Sequence, residues 1–190
     1  AKYYRSRFPE FARQATRILT VSDYSRHDIA SQFQVSLEKI EVVFNAPSSE
    51  YQPVEHLEQV QSQRDLLAKG NPYFIFVGSL HPRKNIPGLL AAFETYRSIG
   101  GVNDLVIVGE SMWSDEMRNQ HGVHFLGRME RKELATSVAA SEGLVFIPWF
   151  EGFGVPIVEA FASGVPVIAS NRTSMPEVCG GAAAALLEPD

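Results

Sequence analysis

After Pro72 the chain alternates short apolar runs with helix-length segments. The apolar runs lack the polar alternation of a strand with one solvated face, so they are typical of strands buried on both sides. This pattern predicts an α/β fold with a parallel sheet covered by helices on both faces. The predicted strands are YFIFVG, DLVIVG, VHFLG, GLVFIP, VPVIAS and a final short AAALL. The predicted helices lie near residues 86–99, 111–120, 130–142 and 155–163, with one further helical turn around PEVCG.

The first 47 residues carry a shorter version of the same alternation. Phe8 and Phe11 share a face of a predicted amphipathic helix, and ILTVS follows as a short strand. Ser22 or Asp23 is placed to cap the next helix, SRHDIASQF, which precedes the strand IEVVFN. Two such strands are too few for an independent core, so we expect residues 1–47 to be the end of a preceding α/β domain.

Residues 48–71 interrupt the alternation. SSEYQP is typical of a turn, and HLEQVQSQRDLLAKG is a polar helical segment with few large apolar residues. We therefore predict an interdomain linker with one helix at 48–71 and a ligand-binding domain at 72–190. Open parallel sheets bind ligands at the carboxyl ends of their strands, where helix N-termini point.

Composition narrows the class of partner. A formal net charge of −5 disfavours nucleic acid, because proteins that bind phosphate backbones usually carry a basic face. Cys179 is the only cysteine, so an internal disulfide is excluded and a reducing compartment is expected. No apolar run approaches the roughly 18 residues of a membrane span. Because the sequence starts without Met and stops at LLEPD, we expect part of a longer protein.

Two carboxylates, Glu151 and Glu159, stand eight positions apart in the run EGFGVPIVEA. Gly152 and Gly154 let the backbone approach a ligand closely, and a helix predicted to begin near Val155 presents its first N–H groups to an anion. Along a helix, eight residues span at most about 12 Å. That reach suits a nucleotide diphosphate sugar, with hydroxyls at the two carboxylates and phosphates between them.

A pair of solvated glutamates is the simpler alternative. Glu159, however, interrupts an otherwise apolar helix and would be costly to bury there without partners. Glu151 lies in a glycine-rich turn between a strand and a helix, which is the kind of turn that binds phosphates. Both observations favour a ligand-binding role.

The loop FVGSLHPRKNI carries two adjacent cations, Arg83 and Lys84. They follow a strand that ends at Gly78 and precede a helix predicted to begin near Ile86. Cations are unfavourable at a helix N-terminus, so we expect an anion close to them. Solvated loop charges are again the alternative.

These motifs occur in the order found in a known enzyme family. The run PWFEGFGVPIVEAFASGVPVIAS, followed by SMPEV, resembles the group 1 retaining glycosyltransferases, family four, which carry two glutamates separated by seven residues. ILTVSDYSRHDI, VGSLHPRKNI and VHFLGRMERKEL match further segments of that family. The resemblance implies the two-domain GT-B fold. In that fold residues 72–190 are a Rossmann-like nucleotide-sugar-binding domain, incomplete at its C-terminus, and residues 1–47 end the acceptor-side domain.

The resemblance also implies roles for individual residues. Arg83 and Lys84 neutralise the departing diphosphate, and Arg83 substitutes for the arginine that the family usually has at the position of Ser79. Glu151 orients the sugar and Glu159 holds the ribose. The catalytic residues predicted in this way are Arg83, Lys84 and Glu151. The predicted donor-binding residues are Gly78, Ser79, Gly127, Arg128, Met129, Gly152, Phe153, Gly154, Val155 and Glu159.

Some of these residues have a structural explanation that is nearly as good. A plain turn between a strand and a helix accounts for Arg128 and Met129 as well as contact with a nucleotide base does. Glu177, after the fifth strand of the larger sheet, either rims the site or caps a turn.

The function implied is transfer of a hexose from a nucleotide diphosphate sugar to an acceptor hydroxyl, with retention of configuration. GDP-mannose or a UDP-hexose is the expected donor, and a sugar or lipid-linked sugar is the expected acceptor. The PRKN loop and the SNRTSMPEV turn look closest to bacterial mannosyltransferases of surface polysaccharide synthesis, in the cytoplasm or at the inner face of the membrane.

No metal or other cofactor is expected, because Asp-x-Asp is absent and the histidines lack metal-ligand spacing. Two alternatives stay open: a nucleotide-sugar epimerase of the same fold, and a non-catalytic nucleotide-sugar-binding module. We expect these 190 residues alone to bind the donor weakly and to catalyse little.

Overall fold

The computed structural model describes residues 2–110 and 120–190, which form two parallel sheets with their helices. The N-terminal segment, residues 2–47, holds the smaller sheet, in which two strands pair. Its elements are α1 (Lys2–Gln14), β1 (Ile18–Thr20), α2 (Asp23–Phe33) and β2 (Ile40–Val42). Of the two predicted caps, Ser22 is the N-cap of α2, and its side chain accepts the N–H of Ser25.

The remaining elements build a six-stranded sheet and its helical cover. They are α3 (Leu57–Ala68), β3 (Tyr73–Val77), α4 (Ile86–Ser98), β4 (Asp104–Val108), β5 (Val123–Gly127), α5 (Arg131–Ala139), β6 (Gly143–Phe146), α6 (Val155–Ala162), β7 (Val167–Ser170), α7 (Met175–Cys179) and β8 (Ala185–Leu187).

The strand order of the larger sheet is β5-β4-β3-β6-β7-β8, and all five pairings are parallel. The chain therefore winds outward from β3 to one edge, returns to β6 beside β3, and winds outward to the other edge. Ligands bind such sheets at the point where the order reverses. The predicted α/β fold with a parallel sheet is confirmed, while the helix predicted at 111–120 lies outside the described residues.

The core lies between the larger sheet and its helices. Because the inner strands β3, β4, β6 and β7 are mostly buried on both faces, their side chains are apolar without alternation, as the sequence pattern indicates. Phe76 on β3 stacks on Phe146 on β6, with ring centroids 5.9 Å apart, at the centre of the sheet. The largest fully buried side chains include Tyr73, Ile75, Phe76, Leu105, Ile107, Leu144, Phe146 and Ile157.

The segment predicted as a linker contributes a helix that packs against the larger sheet. Leu67 and Ala68 at the end of α3 are buried in the core cluster of that sheet. At its polar face, Arg64 Nη2 lies 2.5 Å from Glu142 Oε1. Helix α3 therefore packs against the six-stranded sheet, and the domain boundaries themselves stay a prediction.

Three neighbouring strands, β3, β4 and β5, end at the same level of the sheet. Gly78 donates its N–H to the Val108 carbonyl at 2.9 Å, and Gly109 donates to the Gly127 carbonyl at 2.7 Å. A Cβ added to Gly109 would lie 1.9 Å from the carbonyl oxygen of Gly78. Only a residue without a side chain fits there, so glycine brings the backbones after β3 and β4 together.

We expect Gly109→Ala to lower the free energy of unfolding by about 3 kcal/mol, because the new methyl group overlaps backbone and the φ of +155° disfavours a side chain. Gly100→Ala is the matched control, since it has φ +95° but no atom within 4 Å of the new carbon. It should cost about 1 kcal/mol. Urea unfolding measures both, and equal losses would contradict the close-approach argument.

Candidate functional site

A buried ion pair joins the two motifs that the sequence singles out. Lys84 Nζ lies 2.5 Å from Glu151 Oε1, and Arg83 Nη1 contacts the same oxygen. The side chains of Lys84 and Glu151 are only 7% and 12% exposed, whereas that of Arg83 is 41% exposed. In this structure the Glu151 carboxylate is therefore the anion that the sequence predicts beside the two cations.

The loop after β3 directs Lys84 inward. Residues Pro82–Lys84 form one turn of 3-10 helix. His81 caps its N-terminus, and Asn85, which has the left-handed conformation with φ 56°, caps its C-terminus. Lys84 Nζ consequently lies 4.5 Å from the centroid of the Phe146 ring as well as against Glu151. Both contacts favour the ammonium form.

The pKa of the Lys84 ammonium is lowered from its ordinary value, chiefly because burial disfavours the charge. The hydrogen bond and the charge of Glu151 act in the opposite direction. Removing either partner would leave the other as a buried charge with one contact fewer, which is strongly unfavourable.

The backbone of Glu151 is also fixed. Its N–H donates to Thr173 Oγ1 at 3.2 Å, and its carbonyl accepts from the buried Ser174 hydroxyl at 3.0 Å. Arg83 Nη1 donates to the Phe150 carbonyl, one residue earlier, at 3.2 Å. The turn after β6, which carries the carboxylate, is therefore held on one side by residues that follow β7 and on the other by Arg83.

A cleft of about 340 Å³ opens at the carboxyl ends of β3, β4 and β5, and we call it the strand-end cleft. Lys84 borders the same place, since its Nζ is 3.4 Å from the position of a Cβ at Gly78. The ion pair and the strand-end cleft are thus adjacent. The cleft is lined by Val77, Gly78, Ser79, Val108, Gly109, Glu110, Arg128, Met129 and Leu134.

A second cleft of about 540 Å³ contains Glu159, and we call it the Glu159 cleft. It shares Arg128, Met129 and Leu134 with the strand-end cleft, so the two clefts lie side by side. Its lining residues are Glu50, Tyr51, Arg128, Met129, Glu130, Arg131, Leu134 and Glu159.

Burial raises the pKa of the Glu159 carboxyl above its ordinary value, and a hydrogen bond from Tyr51 and the charge of Arg131 oppose that rise. Tyr51 is itself 5% exposed, and the pKa of its hydroxyl is raised by burial and by the neighbouring Glu159. Glu159 is therefore a partnered carboxylate at a cleft and not a solvated helix residue.

The structure separates the predicted residues into groups. Gly78, Ser79, Arg128 and Met129 line the strand-end cleft, and Gly127 stands at the end of β5, where its carbonyl accepts from Gly109. Glu151 does not line this cleft, but it contacts Lys84, whose Nζ lies beside Gly78 at the edge of the cleft. Glu159 lies in the neighbouring cleft and does not share a lining surface with Glu151 in the described part of the chain.

The turn between Glu151 and α6 packs inward. In the ranges that the structure describes, Gly152, Phe153, Gly154 and Val155 line neither of the two clefts. Gly154 is the N-cap of α6 with φ 94°, and a Cβ there would lie 2.8 Å from Met175 Cε. Their predicted contact with a donor stays a prediction.

Sequence reasoning missed Tyr51 and Arg131 at the Glu159 cleft and Thr173 behind Glu151. Tyr51 comes from the segment predicted as a linker, and no local pattern connects it with Glu159 more than 100 residues later. The segment VGE at 108–110, in contrast, is predicted from its place after a strand to border the pocket, and Gly109 lines the strand-end cleft.

Within residues 2–110 and 120–190, no cluster of three or more His, Cys, Asp and Glu side chains is arranged to hold a metal ion. The helices of the same ranges include none that is both long and apolar enough to cross a membrane. The expectation that no metal or other cofactor is needed stays a prediction.

A family model described as "Glycosyl transferases group 1" matches residues 58–190. O-antigen chain mannosyltransferase B of Escherichia coli is 33% identical over 95% of this chain and 50% of that protein. MMP alpha-(1->4)-mannosyltransferase of Mycolicibacterium hassiacum is 31% identical over 94% of this chain and 43% of that protein. The chain thus spans about half the length of these relatives.

Solved structures show the same fold. Anabaena HepE in complex with UDP and glucose has a TM-score of 0.79 and 19% identity, covering 93% of this chain and 50% of that one. Sucrose-phosphate synthase of Thermosynechococcus elongatus has a TM-score of 0.77 and 22% identity, covering 100% of this chain and 49% of that one.

We expect Glu159→Gln to change the pH dependence of stability. Because the folded-state pKa of Glu159 is raised above 4.5, the folded chain binds more protons than the unfolded chain just above that pH. The parent's free energy of unfolding therefore falls, relative to the variant, as pH rises from about 4 towards 7.

Urea unfolding of parent and variant across this range measures the difference, and it should level off once the carboxylate is ionised in both states. Glu94→Gln, which removes an exposed carboxylate from α4, provides the baseline slope. A difference that moves in favour of the parent with rising pH would contradict the burial of Glu159.

Proposed function

Because the chain belongs to the group 1 glycosyltransferases, we propose that a protein containing it transfers a hexose from a nucleotide diphosphate sugar to an acceptor hydroxyl, with retention of configuration. The observation that carries this proposal is the buried Lys84–Glu151 pair beside the strand-end cleft. It offers a cation for a diphosphate and a carboxylate for sugar hydroxyls at one place.

In this mechanism Lys84 and Arg83 stabilise the negative charge of the leaving group. As the bond between the anomeric carbon and the diphosphate oxygen breaks, negative charge develops on the diphosphate. Preformed cations in a partly desolvated site stabilise that charge more strongly than water does. Arg83 also offers a planar donor pair, which suits phosphate oxygens. No metal is required, because these two side chains supply the positive field.

In the same mechanism Glu151 binds the sugar through a hydrogen bond. Both cations contact its Oε1, so we assign Oε2 as the acceptor for a hexose hydroxyl. Binding of the diphosphate gives Lys84 a second anion, which shares the ammonium with Glu151. The carboxylate thereby becomes a better acceptor for the sugar and orients it above the departing phosphate.

The nucleoside occupies the strand-end cleft and the adjacent Glu159 cleft. Glu159 accepts from the ribose hydroxyls, and its partners Tyr51 and Arg131 hold it in place. The backbone at Arg128 and Met129, which both clefts share, lies beside the base.

Relatives suggest the sugar and the product class. Two mannosyltransferases are among the similar sequences, and one is named for the O-antigen chain. The similar HepE structure holds UDP and glucose. We therefore propose GDP-mannose or a UDP-hexose as donor and a growing sugar chain, lipid-linked or free, as acceptor. We accordingly propose that the protein acts in the cytoplasm, and at the inner face of the membrane where the acceptor is lipid-linked.

A panel of nucleotide sugars tests the donor assignment on the 190-residue chain. A ligand that binds the folded state raises the midpoint of thermal unfolding by mass action, so the donor should stand out over sugar-free controls. The proposal fails if UDP, GDP and their hexose derivatives leave the midpoint unchanged at millimolar concentration. Because the relatives are about twice as long, we expect little transfer by this chain alone.

We expect Glu159→Ala to weaken binding of the nucleotide about 10- to 100-fold, because a charged acceptor for the ribose hydroxyls is lost. With a 2′,3′-dideoxy nucleotide the parent and the variant should bind equally, since the hydroxyls are then absent. Isothermal titration measures both, and Glu94→Ala is the exposed control. Equal affinity of parent and variant for the ribonucleotide would contradict the role of Glu159.

For the longer protein, we expect EDTA to leave the rate of hexose transfer unchanged, because Arg83 and Lys84 supply the positive charge. Lys84→Ala should lower the rate by 100-fold or more, on the order of 3 kcal/mol of transition-state stabilisation. The anomeric configuration of the product, read by NMR, decides retention. Activity abolished by EDTA and restored by a divalent cation would contradict the metal-free mechanism.

A further inference from the structure

The N-terminal segment grips the turn that carries Glu151, and we call residues 150–153 the Glu151 loop. Ser22, which is fully buried, donates its hydroxyl to the Gly152 carbonyl at 2.6 Å. Ser25 donates to the same carbonyl at 3.2 Å. A carbonyl oxygen has two lone pairs, so these two bonds fill the hydrogen-bonding capacity of the Gly152 carbonyl. The residues involved are separated by about 130 positions in the chain.

A carboxylate from the other side completes the contact. Glu177 on α7 accepts the backbone N–H groups of Asp23 at 2.7 Å and Tyr24 at 3.1 Å. The first N–H groups of a helix have no partner within the helix, and its positive end favours an anion. Glu177 thus caps α2 and lines neither cleft in the described residues, so its contacts favour capping over the other predicted alternative, a place at the rim of the site.

These contacts close a ring of hydrogen bonds around Glu151. Ser174, immediately before α7, donates to the Glu151 carbonyl at 3.0 Å. The ring therefore runs from the N-terminus of α2 to the Gly152 carbonyl, on to the Glu151 carbonyl, through Ser174 into α7, and back to α2 through Glu177. The N-terminal segment cannot shift against the larger sheet without breaking it or moving the Glu151 loop.

Aromatic contacts add to the same interface. Tyr24 on α2 packs edge-on against Phe150, with ring centroids 6.0 Å apart, and Phe44 packs against Phe153 at 6.3 Å. These two pairs lie on either side of Glu151 in the sequence, so the N-terminal segment contacts both flanks of the loop.

We propose that Ser22 and Glu177 are positioning residues, which hold the Glu151 loop against the N-terminal segment and so set the direction of the Glu151 carboxylate towards Lys84. The consequence for donor sugars rests on the function proposed above. Acceptor-side parts of the protein would then influence the donor site through α2, without any residue of α2 touching the donor.

Hydrogen exchange of the ligand-free chain tests the positioning itself. In Ser22→Ala and in Glu177→Gln, the amides of Glu151, Gly152 and Phe153 should exchange at least about tenfold faster, while amides of β3 such as Ile75 keep the parent's rate. Ser31→Ala, exposed on the same helix, and Glu94→Gln are the matched controls. Unchanged exchange in the loop of both variants would overturn the proposal, and if Ser22→Ala does not fold, Glu177→Gln decides alone.

Binding then tests the link to Glu151. Affinity for the nucleotide sugar selected by the thermal panel should fall about three- to tenfold in Ser22→Ala, whereas affinity for UMP or GMP stays that of the parent. In a Glu151→Gln background the additional loss should vanish, because the hydroxyl acts through that carboxylate. If Ser22→Ala instead damaged the fold in general, the affinity for the nucleotide sugar and for the mononucleotide would both fall, and the effect would add to that of Glu151→Gln. That result would overturn the proposal.

The two hypotheses fail separately. If the loop amides respond as expected but no nucleotide sugar binds the parent, the proposed function falls and the positioning of Glu151 stands. If the parent binds a nucleotide sugar and the variants bind it equally well, the proposed function stands and Ser22 and Glu177 are purely structural.

Discussion

The arrangement of the site depends on one buried ion pair. Lys84 and Glu151 are each almost completely removed from water, and neither charge is tolerable there without the other. The pair connects the loop after β3 to the loop after β6, the two neighbouring strands at which the strand order reverses. The proposed function uses the same pair, since its ammonium group and its carboxylate offer partners for a phosphate and for sugar hydroxyls.

Parallel strand geometry explains why the site forms at this edge. The strands of the larger sheet all point the same way, so the loops that follow β3, β4, β5 and β6 meet at one edge. Glycine at position 109 lets two of these loops approach to backbone contact, and the clefts open beside that contact. Group 1 glycosyltransferase membership, shown by the family match, is in accord with a donor site at this edge.

The same edge also joins the N-terminal segment to the site. Glu151 is held by side chains from the larger sheet on one side and, through Gly152, by α2 on the other. The Glu151 carboxylate is therefore carried by a loop that forms part of the contact between the two α/β parts of the chain. Under the proposed function, a change in that contact alters the position of a donor-binding residue through the hydrogen bonds of Ser22 and Glu177.

The sequence by itself determined most of the helices and strands and singled out the charged motifs. Continuous apolar runs separated by helical segments indicated a parallel sheet, since only strands buried on both faces lack polar alternation. Ser22 was recognisable as a cap, and the Glu151 and Lys84 motifs were recognisable because charges in apolar or glycine-rich surroundings need partners. Such signals are local, so they survive in a single sequence.

Tertiary structure decided which of these charges meet. Nothing local indicated that the anion required by Lys84 is Glu151 itself, that Tyr51 from the predicted linker partners Glu159, or that Glu177 caps a helix about 150 residues earlier. These are contacts between strand ends and helix ends, brought together by the strand order. A pattern of hydrophobic residues fixes which segments are strands, but it carries no record of which strand lies beside which, and the partners of buried charges follow from that order alone.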